Sequence, residues 1–140
     1  MYQITTEAEF DAAHFLYGYH GKCSNIHGHR WKVMISIAGK ALQEEDQLRG
    51  MVEDFGNIKS DLKALSDYLD HSLIYEIGSL KDTTVSALKE EGFRLVEVSF
   101  RPTAENFAKY FFEKIKASGY PVVLSEVYET PTNKASYCED

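Results

Sequence analysis

Apolar and polar residues alternate from the first residues of the chain. Tyr2, Ile4, Ala8, Phe10 and Ala12 fall on one face of residues 2–13, the period of a half-buried strand. Trp31, Val33, Ile35 and Ile37 repeat the pattern and predict a second strand over 31–37; it returns over 94–100 and 122–129. Residues 39–50 are polar and acidic and read as a loop, and 51–55 form a short strand-like run. Ile58, Leu62, Leu65 and Leu69 then follow at helical steps, which predicts a helix over 60–69 with Asn57 as its cap. A shorter helix is expected over 83–90, stopped at Glu91-Gly92. Pro102 precedes a strong helix over 103–116, with Phe107, Tyr110, Phe111 and Ile115 as its buried stripe, and Gly119-Tyr120-Pro121 ends it. An aromatic stripe at that spacing is core before it is a stacking platform. The order predicts an α+β fold with mostly antiparallel pairing and a short tail after the last strand.

Composition adds limits to this picture. At 140 residues the chain reads as one domain, 1–140, able to bury a core without staples. No apolar run is long enough to cross a membrane and no charged leader precedes an apolar segment, so a cytoplasmic location is expected. Cys23 and Cys138 do not make a disulfide framework; both read as reduced thiols, with Cys138 incidental. The 15 Lys+Arg against 22 Asp+Glu, net charge -7, argue against nucleic acid as a partner. An anionic small molecule could still meet Lys22, Arg30, Lys32 and Arg101, each of which is more simply an exposed solubilising charge.

The chemistry is concentrated in residues 14–31, which hold four of the 5 histidines and Cys23. His27 and His29 lead into a strand at a spacing of two, so both imidazoles point to one face. His14 closes the first alternating segment, and an antiparallel hairpin would bring it to that pair. Three neutral imidazoles leave a fourth tetrahedral position open, as catalytic zinc requires. An isolated His-x-His is a short motif that arises often by chance. Cys23, four residues before His27 and beside Lys22, would have its thiolate favoured by a nearby zinc and cation. It is either the fourth ligand of a closed structural site or a free nucleophile or base over an open one; spacing does not separate the two. Asp70-His71 ends the first helix, where a histidine is favoured electrostatically in any case. Glu129 lies among apolar neighbours, where a carboxylate is costly without a partner.

Taken together, Phe10-Asp11-Ala12-Ala13-His14, Cys23-x-x-x-His27-Gly28-His29, Leu69-Asp70-His71, Pro102-Thr103-Ala104-Glu105-Asn106 and Val127-Tyr128-Glu129-Thr130 resemble the signature of the 6-pyruvoyl-tetrahydropterin synthase superfamily. The resemblance is closest to its 6-carboxy-tetrahydropterin synthase branch, from the queuosine pathway. The gap from Cys23 to His27 favours that branch, and Cys23 argues against members that carry glutamate there and serve folate synthesis. The resemblance implies the tunnelling fold: a four-stranded antiparallel sheet with helices on one face, its subunits closing into a barrel as a hexamer of two trimers. It implies Zn²⁺ on His14, His27 and His29, and 7,8-dihydroneopterin triphosphate as substrate. The implied products are 6-carboxy-tetrahydropterin, acetaldehyde and triphosphate. Cys23 would move the proton, Asp70 and His71 would relay it, and Glu129 would hold the pterin edge and share in the relay. Thr103 and Glu105 would border the same pocket. The stretch between His71 and Pro102 looks longer than in compact members. Two other readings stand beside this one: a pyruvoyl-type synthase that only eliminates triphosphate, and a non-enzymatic zinc- or pterin-binding module.

Overall fold

The first two predicted strands form one long hairpin. In the computed structural model, which describes residues 1–140, β1 (Tyr2–His14) and β2 (His27–Gly39) pair antiparallel from Tyr2 opposite Gly39 to His14 opposite His27. Helix α1 (Phe55–Leu69) follows, then β3 (Ser72–Glu76), α2 (Asp82–Glu90), β4 (Leu95–Val98), α3 (Ala104–Ala117), β5 (Val122–Thr130) and β6 (Asn133–Tyr137). The strands make one six-stranded sheet in the order β4-β3-β1-β2-β5-β6.

The sheet is larger and more mixed than the four antiparallel strands expected. β3 runs parallel to both β1 and β4, while the other pairings are antiparallel. β3 escapes a pattern search because it is five residues long and follows α1 almost directly, with Ser72, Ile74 and Tyr75 buried and no clean alternation. β6 replaces the expected tail; its sequence Asn-Lys-Ala-Ser-Tyr is that of a polar edge strand with only Ala135 and Tyr137 half-buried. The strand-like run 51–55 is no strand. Helix α1 begins at Phe55, and Asp54, not Asn57, caps it by accepting from the Gly56 N–H at 2.8 Å.

The core lies between the sheet and helices α1 and α3. Ile58, Leu62 and Leu69 of α1 and Phe107, Phe111 and Ile115 of α3 are buried as their spacing predicts. They meet Phe10 and Trp31, whose rings stack at 6.0 Å, with Phe107 edge-on to Trp31 at 5.0 Å. Full burial of each such ring contributes roughly 1.5–3 kcal/mol. Helix α2 buries no residue; it shares a crevice with Tyr75, Leu95 and Glu97, which alternate with the core residues Ile74 and Val96.

Candidate active site

The register of the hairpin decides where the histidines meet. His14 lies opposite His27, and Ala12 opposite His29. Alternation puts His27 and His29 on the Trp31 side of β2 and His14 on the Phe10 side of β1, which is the core side of the sheet. Ring centroids are 4.6 Å apart for His14 and His27, 5.2 Å for His14 and His29, and 4.9 Å for His27 and His29. Trp31 lies beneath, edge-on to His14 at 4.9 Å. One ligand nitrogen from each ring lies within 4.8 Å of the other two, and neither Cys23 nor any carboxylate belongs to the group.

The hydrogen bonds around the rings set their tautomers. His14 Nδ1 meets the Pro102 carbonyl at 2.7 Å, and His27 Nδ1 meets the Asn25 carbonyl at 2.7 Å. A carbonyl only accepts, so each ring carries a proton on Nδ1. Burial, helped by the neighbouring His27 and His29, pushes His14 down to about 4 against the opposing pull of Pro102, so its ring is neutral at pH 7. Nε2 of His14 and Nε2 of His27 then face each other as lone pairs at 3.1 Å. His29 Nε2 is buried with no hydrogen-bond partner, and burial lowers its pKa despite Glu129. The facing Nε2 lone pairs of His14 and His27 repel unless a cation lies between them. The donor set therefore fits a divalent metal, and three imidazoles with an open fourth position fit zinc.

The other candidate residues lie on different elements. Asp70 and His71 follow α1, with Asp70 Oδ2 at 2.8 Å from His71 Nδ1. The Asp11 N–H donates to Asp70 Oδ1 at 2.8 Å, and the Asp11 carbonyl accepts from the His71 N–H at 2.6 Å. The Asp11 N–H first, and then His71, hold the Asp70 carboxyl below its ordinary range. His71 sits at φ 55, a left-handed backbone uncommon for a residue with a side chain. It lines an open cleft of about 740 Å³ together with Gly28 and His29. Glu129 is half-buried on β5, its Oε1 3.5 Å from His29 Nε2, and lines a second cleft of about 430 Å³ with His29, Arg30 and Lys32. The carboxylate thus stands next to the histidines without joining them.

Cys23 is half-buried in a short 3-10 turn, Lys22–Ser24, and its carbonyl accepts from the Leu16 N–H at 2.9 Å, which ties the loop back to the residues after His14. Cys138 is exposed, and neither cysteine forms a disulfide. Thr103 is the N-cap of α3, its Oγ1 accepting from the Asn106 N–H at 3.2 Å, and Glu105 is exposed in the first turn. Neither lines the two clefts beside His29. The cations are largely engaged. Arg30 pairs with Glu9 at 2.8 Å and Asp11 at 3.2 Å, Lys32 lies 4.4 Å over the Tyr128 ring, and Arg101 donates to the Tyr17 carbonyl at 2.8 Å.

Two groups at the site have no side-chain signal: the carbonyls of Pro102 and Asn25, which orient His14 and His27. The only hint in the sequence is the Pro102–Asn106 motif itself. Thr103 and Asn106 brace its turn, Asn106 Nδ2 donating to the Arg101 carbonyl at 2.9 Å, and so present the Pro102 carbonyl to His14.

Comparison with known proteins places the chain in a family. A family model described as 6-pyruvoyl tetrahydropterin synthase matches residues 3–140. The 6-carboxy-5,6,7,8-tetrahydropterin synthase of Haemophilus influenzae is 35% identical over 142 residues, spanning 99% of this chain and 98% of the relative. Among solved structures, the 6-pyruvoyl tetrahydropterin synthase of Caenorhabditis elegans superposes with a TM-score of 0.67 at 27% identity, over 100% of this chain and 98% of that one. An uncharacterised protein from Wolinella succinogenes reaches a TM-score of 0.82 at 23% identity, over 99% of this chain and 98% of its own, and shares the fold.

Proposed function

Since the chain belongs to the 6-pyruvoyl tetrahydropterin synthase family, we propose that it is a carbon-carbon lyase of the 6-carboxytetrahydropterin kind. Its substrates are 7,8-dihydroneopterin triphosphate and water, and its products are 6-carboxy-5,6,7,8-tetrahydropterin, acetaldehyde and triphosphate, a step toward queuosine. The observation that carries the proposal is the convergence of His14, His27 and His29, two of them with Nδ1 pinned to carbonyls and all three turned toward one point.

His14, His27 and His29 would hold zinc, which would supply Lewis acidity toward the substrate hydroxyls and the C–H beside them. The remaining work falls to the chain. Cys23 takes that proton as thiolate and returns it to the neighbouring carbon. His71, held by Asp70, receives the thiol proton at Nε2, because its Nδ1 is occupied by the Asp70 carboxylate. Glu129 accepts two hydrogen bonds from the amino-pyrimidine edge of the pterin and, next to His29, can share in the relay. The proposal includes a cytoplasmic location and assembly into a hexamer of two trimers. The unpaired outer sides of β4 and β6 support assembly, since sheet edges are covered when subunits close into a barrel.

The Cys23→Ala variant tests the assignment. It is expected to bind zinc at the wild-type stoichiometry and to lose about 100-fold or more in kcat, the scale of a general base. Retained zinc with undiminished turnover would remove Cys23 from the mechanism, and lost zinc would make it a ligand.

A further inference from the structure

We infer that Arg94 is a positioning residue for the Asp70–His71 pair, an inference that rests on the relay proposed above. Arg94 Nη1 donates to the Asp70 carbonyl at 2.7 Å, and Nη2 donates to the Tyr68 carbonyl. Its guanidinium also lies 5.7 Å from the Tyr68 ring centroid. Tyr68 belongs to the last turn of α1, and the Asp70 carbonyl lies just beyond it, where carbonyls have no partner within the helix. A planar two-nitrogen fork holds both in a fixed geometry, which a lysine cannot do.

The main chain of Arg94 grips the other side of the same histidine. Its carbonyl accepts from the Leu73 N–H at 3.0 Å, so one residue fastens the chain before and after His71. Asp11 does the equivalent from β1, donating to the Asp70 carboxylate and accepting from the His71 N–H. His71 is thereby held at φ 55, a conformation that persists where the surroundings over-determine it. Arg94 lines the same cleft as His71, yet its Nη atoms are turned to the backbone carbonyls of Tyr68 and Asp70. It therefore acts through the pair it holds.

A competing role is plain capping of α1 by a cation, which would affect stability alone. Zinc-loaded full-length protein with Arg94→Gln, Arg94→Lys, His71→Asn and the Arg94→Gln/His71→Asn pair separates the two. Arg94→Gln is expected to lower kcat about 10-fold or more, with KM within about two-fold, and to displace the pH profile of kcat. Arg94→Lys, which keeps the charge without the fork, should recover only part of the loss. In the His71→Asn background, Arg94→Gln should lower kcat no further, because the group it positions is already gone. A lower Tm with unchanged kcat and pH profile overturns the inference in favour of a cap, as do losses that multiply in the pair. If Arg94→Gln does not fold, Arg94→Lys carries the test: a displaced pH profile supports positioning, and an identical one overturns it. Wild-type activity in His71→Asn alone refutes the relay, and the inference with it; loss there with a neutral Arg94→Gln refutes only the inference.

Discussion

A proton pinned to Nδ1 leaves Nε2 of His14 and His27 available to a metal, and in both rings a backbone carbonyl 2.7 Å away does the pinning. Replacing His27 by Ala removes one of three donors, so zinc measured by elemental analysis should fall from about one per chain to well below half. Unchanged zinc content would place the metal elsewhere. Asp70 offers a pH test of the contacts that clamp it to Asp11 and His71. Its folded pKa is depressed, so its stabilising contribution is present above the ordinary value of 3.8 and is lost as pH falls through the lower folded value. The Tm difference between wild type and Asp70→Asn should accordingly be constant from neutral pH down to about 5 and shrink toward pH 3. A difference that grows on acidification would contradict the clamp. At this scale the sequence was most legible where chemistry and position coincide, as in His14, His27 and His29. Pro102 and Asn25 were illegible in this role because they act through carbonyls, which every residue has.

Elements carry the geometry that single residues exploit. The histidines converge because β1 and β2 keep one register along the hairpin; a slip of one residue would turn His27 and His29 to the opposite face from His14. Helix α3 links this site to the core, with Phe107 packed edge-on to both Phe10 and Trp31 while the Pro102 carbonyl at its start holds His14. Phe107→Ala should therefore cost roughly 3–5 kcal/mol in denaturant unfolding, and a cost below about 1 kcal/mol would contradict the packing. The hairpin and α3 were readable because each is long and keeps one period throughout. β3 and β6 were not. Five residues give too few repeats to establish a period, and what defines both strands is the neighbour each pairs with rather than its own sequence. The α1 start was misplaced because Asp54 sits within a run that looks strand-like until its carboxylate is seen capping Gly56.

At the scale of the whole molecule, the candidate residues come from separate stretches of the chain. His14 and His27 come from the central hairpin, Glu129 from β5, and Asp70-His71 from the junction of α1 with β3. No helix is long and apolar enough to cross a membrane. The acidic balance of the chain and the pairing of Arg30 with Glu9 and Asp11 leave little free positive surface on the β1–β2 hairpin at this site. The sequence showed this assembly only as an ordered series of short motifs, because the distances that unite them belong to the fold. The most direct measurement is incubation of zinc-loaded protein with 7,8-dihydroneopterin triphosphate, with mass analysis of the pterin and an assay for acetaldehyde. The predicted result is 6-carboxytetrahydropterin and acetaldehyde in equal amounts, with release of triphosphate. A pyruvoyl pterin without acetaldehyde, or no turnover by fully metallated protein, would contradict it.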